Sequence, residues 1–334
     1  MRVLIVTDAW RPQVNGVVRV LESLADAAKE QGVDVVFLTP EGFWSIAVPT
    51  YAEVRLALTT CGPVGRRIEA AQADHIHLAT EGPLGFAARR YCLRHGLPFT
   101  TSFHTKLPEY IAARVPVPVT WTYRLLRGFH NAGSGVLVST SSLEADLKSR
   151  GFNRLMRWPL GVDNVRFRRR DESVLNFPRP LFLYVGRIAV EKNLTAFLAL
   201  DLPGTKVVVG DGPARASLEA RFPDARFLGT QTGEDLANIY SSADVFVFPS
   251  LTDTFGLVLL EAMASGLPVA AFPVAGALDV VAQSGAGILD MDLKRACLEA
   301  LSIPRWKPRA RSEVFTWDQS ANRFIANLLA ANPT

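Results

Sequence analysis

Cysteine is scarce in this chain, and the three present, Cys61, Cys92 and Cys297, lie far apart in a sequence of 334 residues. No two have the short spacing of a metal site, and no disulfide framework can be drawn from them. The expectation is therefore reduced thiols in a cytosolic protein. Long apolar runs are missing too. The longest uncharged stretch, Ala262–Leu278, is broken by glycines and prolines and falls short of a membrane span. Met1-Arg-Val-Leu-Ile-Val runs straight into strand-like sequence, which reads as leaving no room for a signal peptide. The sequence has no low-complexity tract and no internal repeat. It also lacks a complete G-x-G-x-x-G loop, which argues against a dinucleotide-dependent dehydrogenase. Acidic residues are in slight deficit, giving a net charge of +4. The imbalance is local: between Lys106 and Arg170 basic residues outnumber acidic ones about three to one, with Arg166, Arg168, Arg169 and Arg170 at its end. No nucleic-acid motif or stacking-aromatic pattern accompanies them, so no nucleic-acid partner is expected. The segment reads either as solvated basic surface or as a patch drawn to an anionic membrane leaflet.

The residues that are present describe a well-packed α/β protein, 49% apolar and 20% charged. The length exceeds what one core usually organises, so two domains are expected. β-branched apolar runs alternate with helical periodicity from the first residue. Arg2–Thr7, Val33–Leu38, His75–Leu78, Phe99–Phe103 and Val136–Ser139 read as buried parallel strands, with helices over Val17–Gln31, Leu84–Arg94 and Ser142–Arg150. A second series follows the Arg/Pro-rich segment 166–180. Its strands are Leu181–Val185, Lys206–Val209, Ala225–Leu228, Val245–Phe248 and Val269–Phe272, and its helices Leu194–Leu200, Leu236–Ser241 and Leu257–Ala264. Both series predict doubly wound sheets, which hold ligands beyond the carboxyl ends of their strands. Trp317–Ala330 has helical spacing.

Chemistry concentrates in Phe248–Ala271. Asp253 lies in a loop, Thr254-Phe255-Gly256-Leu257 opens a helix, and Glu261 follows Asp253 by eight positions. The helix start offers backbone N–H groups and a positive dipole end to a phosphate. Glu261 can reach ribose hydroxyls and Asp253 a sugar hydroxyl, although a loop and a core helix of any α/β protein look similar. Arg187 and Lys192 follow the Leu181–Val185 strand, where two cations can balance a diphosphate without a metal. Gly210 and Gly212, in Val209-Gly-Asp-Gly-Pro213, let backbone approach a ligand or simply make a tight turn. Leu228 ends the next strand, where hydrophobic residues are common. In the first half, Pro12-Gln-Val-Asn-Gly-Val17 puts Gly16 at a strand–helix junction. His104 ends a strand, and Glu81-Gly-Pro-Leu-Gly85 follows the strand before it. Asp290-Met-Asp292 imitates a metal-binding pair but reads as turn and helix-start chemistry. Asn332-Pro-Thr334 is no glycosylation acceptor, because proline fills its centre.

The acidic-x7-acidic pattern of Asp253 and Glu261, with Arg187, Lys192, Gly16 and His104 in order, resembles retaining glycosyltransferase family 4, the glycosyl transferases group 1. Most members have Glu where this chain has Asp253. The resemblance spans Asn15 to the terminal helix and is similar in detail to bacterial diacylglycerol glycosyltransferases and lipid α-mannosyltransferases. It implies the GT-B fold: Rossmann-like domains over 1–165 and 166–313 facing an interdomain cleft, with 314–334 packing back on the first. It implies that Arg187 and Lys192 bind diphosphate, that Leu228 marks the base-contacting segment, and that Gly16 and His104 lie near the donor sugar. The implied reaction moves a sugar, with retention and without a metal or cofactor, from a nucleotide-sugar to a lipid or glycan acceptor. A UDP-sugar and diacylglycerol are the first expectation. A GDP-mannose-dependent mannosyltransferase is the second, and a GT-B epimerase or binding protein the third. The stretch Tyr110–Phe129 mixes aromatics with Arg114, Arg124 and Arg127. It reads equally as an interfacial surface or as an ordinary core helix. An enzyme peripheral on the inner face of the plasma membrane follows from the first of these.

Overall fold

A computed structural model describes residues 1–11, 13, 15–48, 51–112 and 116–332, with backbone alone at 48 and 51–54. Pro12 and Val14 of the first loop, Arg114, and Pro333-Thr334 lie outside the described residues.

The first series of elements is β1 (Arg2–Val6), α1 (Gly16–Glu30), β2 (Asp34–Leu38), β3 (Ser45–Val48), β4 (Tyr51–Ala57) and α2 (Cys61–Ala71), then β5 (His75–Leu78), α3 (Pro83–His95) and β6 (Thr100–Phe103). It continues through α4 (Leu107–Ala112), α5 (Val119–His130), β7 (Gly135–Val138), α6 (Ser141–Ser149) and β8 (Leu155–Arg157). Six strands form one parallel sheet in the order β2-β1-β5-β6-β7-β8, and β3-β4 is a separate antiparallel hairpin. The second series is β9 (Leu181–Val185), α7 (Leu194–Leu198), β10 (Thr205–Val209), α8 (Arg215–Arg221), β11 (Arg226–Phe227), α9 (Gly233–Ser242) and β12 (Val245–Phe248). After it come α10 (Leu257–Ala264), β13 (Val269–Ala271), α11 (Ala275–Val281), β14 (Gly287–Leu289), α12 (Leu293–Ala300) and α13 (Trp306–Ser312). Its sheet is also parallel, in the order β11-β10-β9-β12-β13-β14, the doubly wound arrangement of a mononucleotide-binding fold. The chain ends in α14 (Trp317–Ala331).

Two units result: Met1–Leu160 with Trp317–Thr334, and Gly161–Thr316. In the first, Leu4, Val6, Leu78, Leu84, Phe99 and Phe129 share a core; in the second, Phe182, Tyr184, Val208, Val245 and Cys297 do. Each large side chain so buried contributes roughly 1.5–3 kcal/mol. The central strands are buried throughout, which is why they read as continuous apolar runs. Helix α14 is held to the first unit by Trp158, which is 1% exposed and whose indole N–H donates to the Ser320 hydroxyl at 3.0 Å. The amide of Asn327 donates to the Arg157 carbonyl at 2.9 Å.

Several elements escape the sequence reading. The hairpin β3-β4 carries exposed Ile46 and is preceded by exposed Trp44, so it lacks the inward alternation that signals a half-buried strand. Strands β8 and β14 are three residues long and only partly buried. Asp292 behaves as the sequence suggests: it caps α12, accepting the Arg295 N–H at 3.1 Å.

Candidate active site

In a parallel sheet the strand order reverses at one point, and loops there diverge to leave a crevice. In the second unit that point falls between β9 and β12. Arg187 and Lys192 come from the loop after β9, and Asp253 from the loop after β12. Lys192 Nζ donates to Asp253 Oδ1 across this gap, with both side chains largely buried. Two further bonds tie the same loops: the Asn193 amide to the Pro249 carbonyl at 3.1 Å, and the Thr252 hydroxyl to the Glu191 carbonyl at 3.5 Å. An ammonium has three N–H donors, so it can serve a carboxylate and phosphate oxygens at the same time. Arg187 sits half-buried in the same loop, its carbonyl accepting the Tyr184 hydroxyl at 2.8 Å.

The segment after Asp253 is nearly closed to solvent. Thr254 and Phe255 are 9% and 4% exposed, and Gly256 takes φ +82° to turn the chain into α10. That left-handed turn, which favours glycine, puts Leu257 at the start of α10, where Leu259 N–H already takes the Gly256 carbonyl at 2.9 Å and the positive end of the helix dipole lies. Glu261 lies one turn further in and is 6% exposed. The hydroxyl of buried Tyr240 donates to its Oε2 at 3.0 Å, a partner no spacing rule announces.

Gly210 and Gly212 have a packing reason as well as a ligand one. A Cβ on Gly210 would lie 1.9 Å from the Gly186 carbonyl oxygen, and one on Gly212 would lie 2.4 Å from that of Ile188. The loops after β9, β10 and β11 touch backbone to backbone here, with Gly210 N–H donating to Gly229 O at 2.8 Å and Gly186 N–H to Val209 O at 3.0 Å. Leu228 follows β11 directly and is half-buried. Its N–H is committed to Val208 O at 2.9 Å, so a base contact through Leu228 would use its carbonyl, which already accepts the Gln231 amide at 3.0 Å.

The first unit has its own switch point, between β1 and β5. Gly16 is the first residue of α1, and Asn15 caps that helix by accepting the Val18 N–H at 3.0 Å. Asp8, which the sequence reading missed, is 7% exposed and does the same for α3. Its oxygens accept the amides of Leu84 at 2.9 Å and Gly85 at 3.2 Å, together with the Thr80 hydroxyl at 3.0 Å. Burial pushes the Asp8 carboxyl up from its usual range while these bonds pull it back. His104 follows β6, one strand further on, with its ring edge-on to Trp158 at 5.7 Å. Burial is the main reason its imidazole is pushed down to about 4; the Glu81 carboxylate opposes the shift and His130 reinforces it. His104 is therefore neutral at physiological pH. If it acts in the chemistry, His104→Ala is expected to lower turnover about 10²-fold and to change nucleotide affinity less than twofold. In the native protein its neutral form is lost only as pH falls through about 4, so kcat should show no His104 limb near the ordinary 6.5. Steady-state rates and nucleotide titrations from pH 5 to 8 check both.

Helix α5 covers the second half of the stretch Tyr110–Phe129 and is partly core, partly exposed. Its inner face, Tyr123, Leu126 and Phe129, is core, and its outer face exposes Trp121 at 72% and Leu125 at 58% beside Arg124. Among the described residues no helix is long and apolar enough to cross a membrane.

The chain matches known proteins over most of its length. Residues 14–166 match the family model "Glycosyltransferase Family 4", and residues 179–302 match "Glycosyl transferases group 1". The chain is 33% identical to the sulfoquinovosyl transferase SQD2 of Arabidopsis thaliana over 78% of its own length, although it spans only 57% of that protein. It is 31% identical to a GDP-mannose-dependent alpha-mannosyltransferase of Mycobacterium tuberculosis, covering 86% of this chain and 83% of that one. The alpha-monoglucosyldiacylglycerol synthase of Streptococcus pneumoniae is 27% identical over 90% of this chain and 78% of its own. In three dimensions the sucrose-phosphate synthase of Thermosynechococcus elongatus superposes with a TM-score of 0.79 at 22% identity, covering 99% and 100% of the two chains. That likeness establishes the fold, two Rossmann-like units of the GT-B type.

Proposed function

The chain belongs to glycosyltransferase family 4, and on that premise we propose that it transfers a hexosyl group from a UDP-sugar to the hydroxyl of a lipid acceptor of the diacylglycerol type. The ion pair of Lys192 with Asp253 at the switch point of the second unit is the observation that carries this reading. A sugar leaving a nucleoside diphosphate puts growing negative charge on the β-phosphate. Catalysis is whatever stabilises that charge more than it stabilises the ground state. Arg187, Lys192 and the amides from Thr254 to Leu257 supply such groups, and Asp253 would take a sugar hydroxyl while Glu261 takes the ribose. In this reading the side chains and helix dipole do the work of a metal. The incoming hydroxyl attacks on the face the phosphate leaves and hands its proton to that phosphate, so configuration is retained. Exclusion of water during this step favours transfer over hydrolysis.

The acceptor half of the proposal is supported by the name of the streptococcal relative and by the outer face of α5. An aromatic and an aliphatic side chain flanking a guanidinium suit an interfacial helix lying in an anionic headgroup layer. Vesicles containing phosphatidylglycerol should capture the protein at low salt, and Trp121→Ser with Leu125→Ser should weaken capture about tenfold. Equal binding to neutral vesicles would remove the anionic headgroups from the account, and binding to neither kind would remove the membrane. A second reading, GDP-mannose as donor, is favoured by the 31% identity to a mannosyltransferase over most of both chains. A nucleotide-release assay over UDP-, GDP- and ADP-sugars, with and without diacylglycerol and with excess EDTA, tests the whole. Release that requires both a nucleotide-sugar and the lipid and survives EDTA supports the proposal; release only with a metal restored would refute its metal-free step.

A further inference from the structure

The centre of the first sheet holds polar groups that the donor chemistry leaves unused. Strand β6 reads Thr100-Thr101-Ser102, all essentially buried. Neighbouring side chains on a strand point to opposite faces. Thr100 and Ser102 share one face and engage both ring nitrogens of His77, at 2.8 and 2.7 Å. Thr101, on the other, lies 2.8 Å from His130 Nδ1, and His130 Nε2 lies 2.9 Å from Glu81 Oε1. A hydroxyl, an imidazole and a carboxylate thus stand in series. With Glu81 ionised, Nε2 carries the hydrogen and Nδ1 accepts from Thr101, so every member is satisfied. His130 is 0% exposed and is boxed by the rings of Phe103, Phe129 and Phe152, at 5.5, 5.1 and 5.8 Å. Such a relay, closed in by aromatic rings, holds its outermost member in one place.

That outermost member is Glu81, in the loop after β5 and therefore at the β1/β5 switch point. Its side chain is 9% exposed. Its charge acts on both neighbours at this edge, His104 and Asp8. The two carboxylates differ in what binds them. Asp8 is saturated by the start of α3, with two amides and a hydroxyl, and is a helix cap. Glu81 is held through one oxygen by one imidazole, and a carboxylate can accept about four hydrogen bonds.

We propose that Glu81 is the acceptor-binding residue of the first unit: before transfer its carboxylate accepts a hydrogen bond from the acceptor hydroxyl, whose proton passes to the departing phosphate as the bond to the sugar forms, with His130 and Thr101 as positioning residues behind it. The assignment rests on the transferase reading above and adds a specificity to it. A fixed, poorly solvated negative charge favours a glycerol- or polyol-type hydroxyl on a neutral molecule and disfavours an acceptor that carries a phosphate beside its reacting end.

The test compares wild type with Glu81→Gln, using dioctanoylglycerol and dioctanoylphosphatidylglycerol as acceptors. The amide oxygen of Gln keeps a partner for His130 N–H, so the fold and the relay survive while the charged acceptor is lost. Glu81→Gln is expected to raise the KM for dioctanoylglycerol at least tenfold and to narrow the preference over the phosphate-bearing lipid. Affinity for the nucleoside diphosphate, slow hydrolysis of the donor by water, and the melting temperature should stay at wild-type values. Thr101→Ser, which keeps the hydroxyl, should behave as wild type; Thr101→Val should move acceptor KM in the same direction as Glu81→Gln and leave nucleotide affinity alone. If acceptor kinetics are unchanged in Glu81→Gln, or if nucleotide affinity and transfer fall together, the assignment is wrong and the relay merely locks α5 to the sheet. Those outcomes leave the transferase reading standing. A wild type that transfers from no donor overturns that reading, and this one with it.

Discussion

Lys192→Ala is expected to lower kcat about 10²- to 10³-fold, the loss of roughly 2.7–4 kcal/mol that follows removal of one preorganised group from developing charge. The effect should fall on kcat more than on donor KM, because the charge being met is larger in the transition state than in the bound donor. The ion pair complicates a naive reading. Lys192 and Asp253 are both largely buried, so removing the cation also strands a carboxylate, and that alone destabilises the loops. The double variant Lys192→Ala with Asp253→Asn separates the two effects. It should recover the melting temperature that Lys192→Ala loses and recover none of the lost turnover on Lys192's account. Lys192→Arg, which keeps the charge and alters its shape, should retain an intermediate rate. Wild-type turnover in Lys192→Ala would remove the residue from the chemistry.

Gly210→Ala should be the most damaging single methyl group in the second unit. The backbone there has φ +132°, a conformation side chains rarely adopt, and the added Cβ would meet the Gly186 carbonyl oxygen at 1.9 Å. That neighbour is backbone and is itself bonded into the loop, through Gly186 N–H to Val209 O at 3.0 Å. Nothing can swing away, so the loops after β9 and β10 must separate. A cost of about 3 kcal/mol is reasonable for strain plus a backbone clash, and lowers Tm by roughly 6–12 °C for a unit of this size. Nucleotide affinity should fall as well, because the displaced β9 loop carries Arg187 and Lys192. Gly62→Ala in α2 is the control. A Cβ there meets nothing within 4 Å, and alanine in a helix is favourable. Its melting temperature should hold or rise slightly. Scanning calorimetry of the two variants decides the matter.

The two damaging substitutions also mark how far the sequence could be read. Parallel strands buried on both faces are legible because nothing interrupts their apolar run, as in Leu181–Val185 and Val245–Phe248. Arg187, Lys192 and Asp253 are legible as a pattern because each lies in a loop after a strand, and Glu261 because it follows Asp253 by eight positions into the next helix. What is illegible is who meets whom. Lys192 and Asp253 are 61 positions apart, and Tyr240 reaches Glu261 from another helix. No periodicity encodes such pairs; only strand order does. Gly210 shows a subtler limit, since ligand approach, a tight turn and close loop packing all demand the same residue. Asp8 escaped notice because it caps a helix more than seventy residues away, and capping is recognised from sequence only when it is local. The buried His77, Thr100 and Ser102 cluster escaped for the opposite reason. Its residues look like polar interruptions until the sheet shows that they satisfy one another.

The central claim is that side-chain cations and helix amides of the second unit grip a diphosphate. Calorimetric titration with the mono- and diphosphates of uridine and guanosine tests it most directly. For the preferred base, the wild-type protein should bind the diphosphate about 10²-fold more tightly than the monophosphate, in EDTA as in buffer. In Arg187→Ala/Lys192→Ala that advantage should shrink to a few-fold, with monophosphate affinity little changed. A wild-type protein that binds both equally, or a double variant that keeps the full preference, would contradict the account.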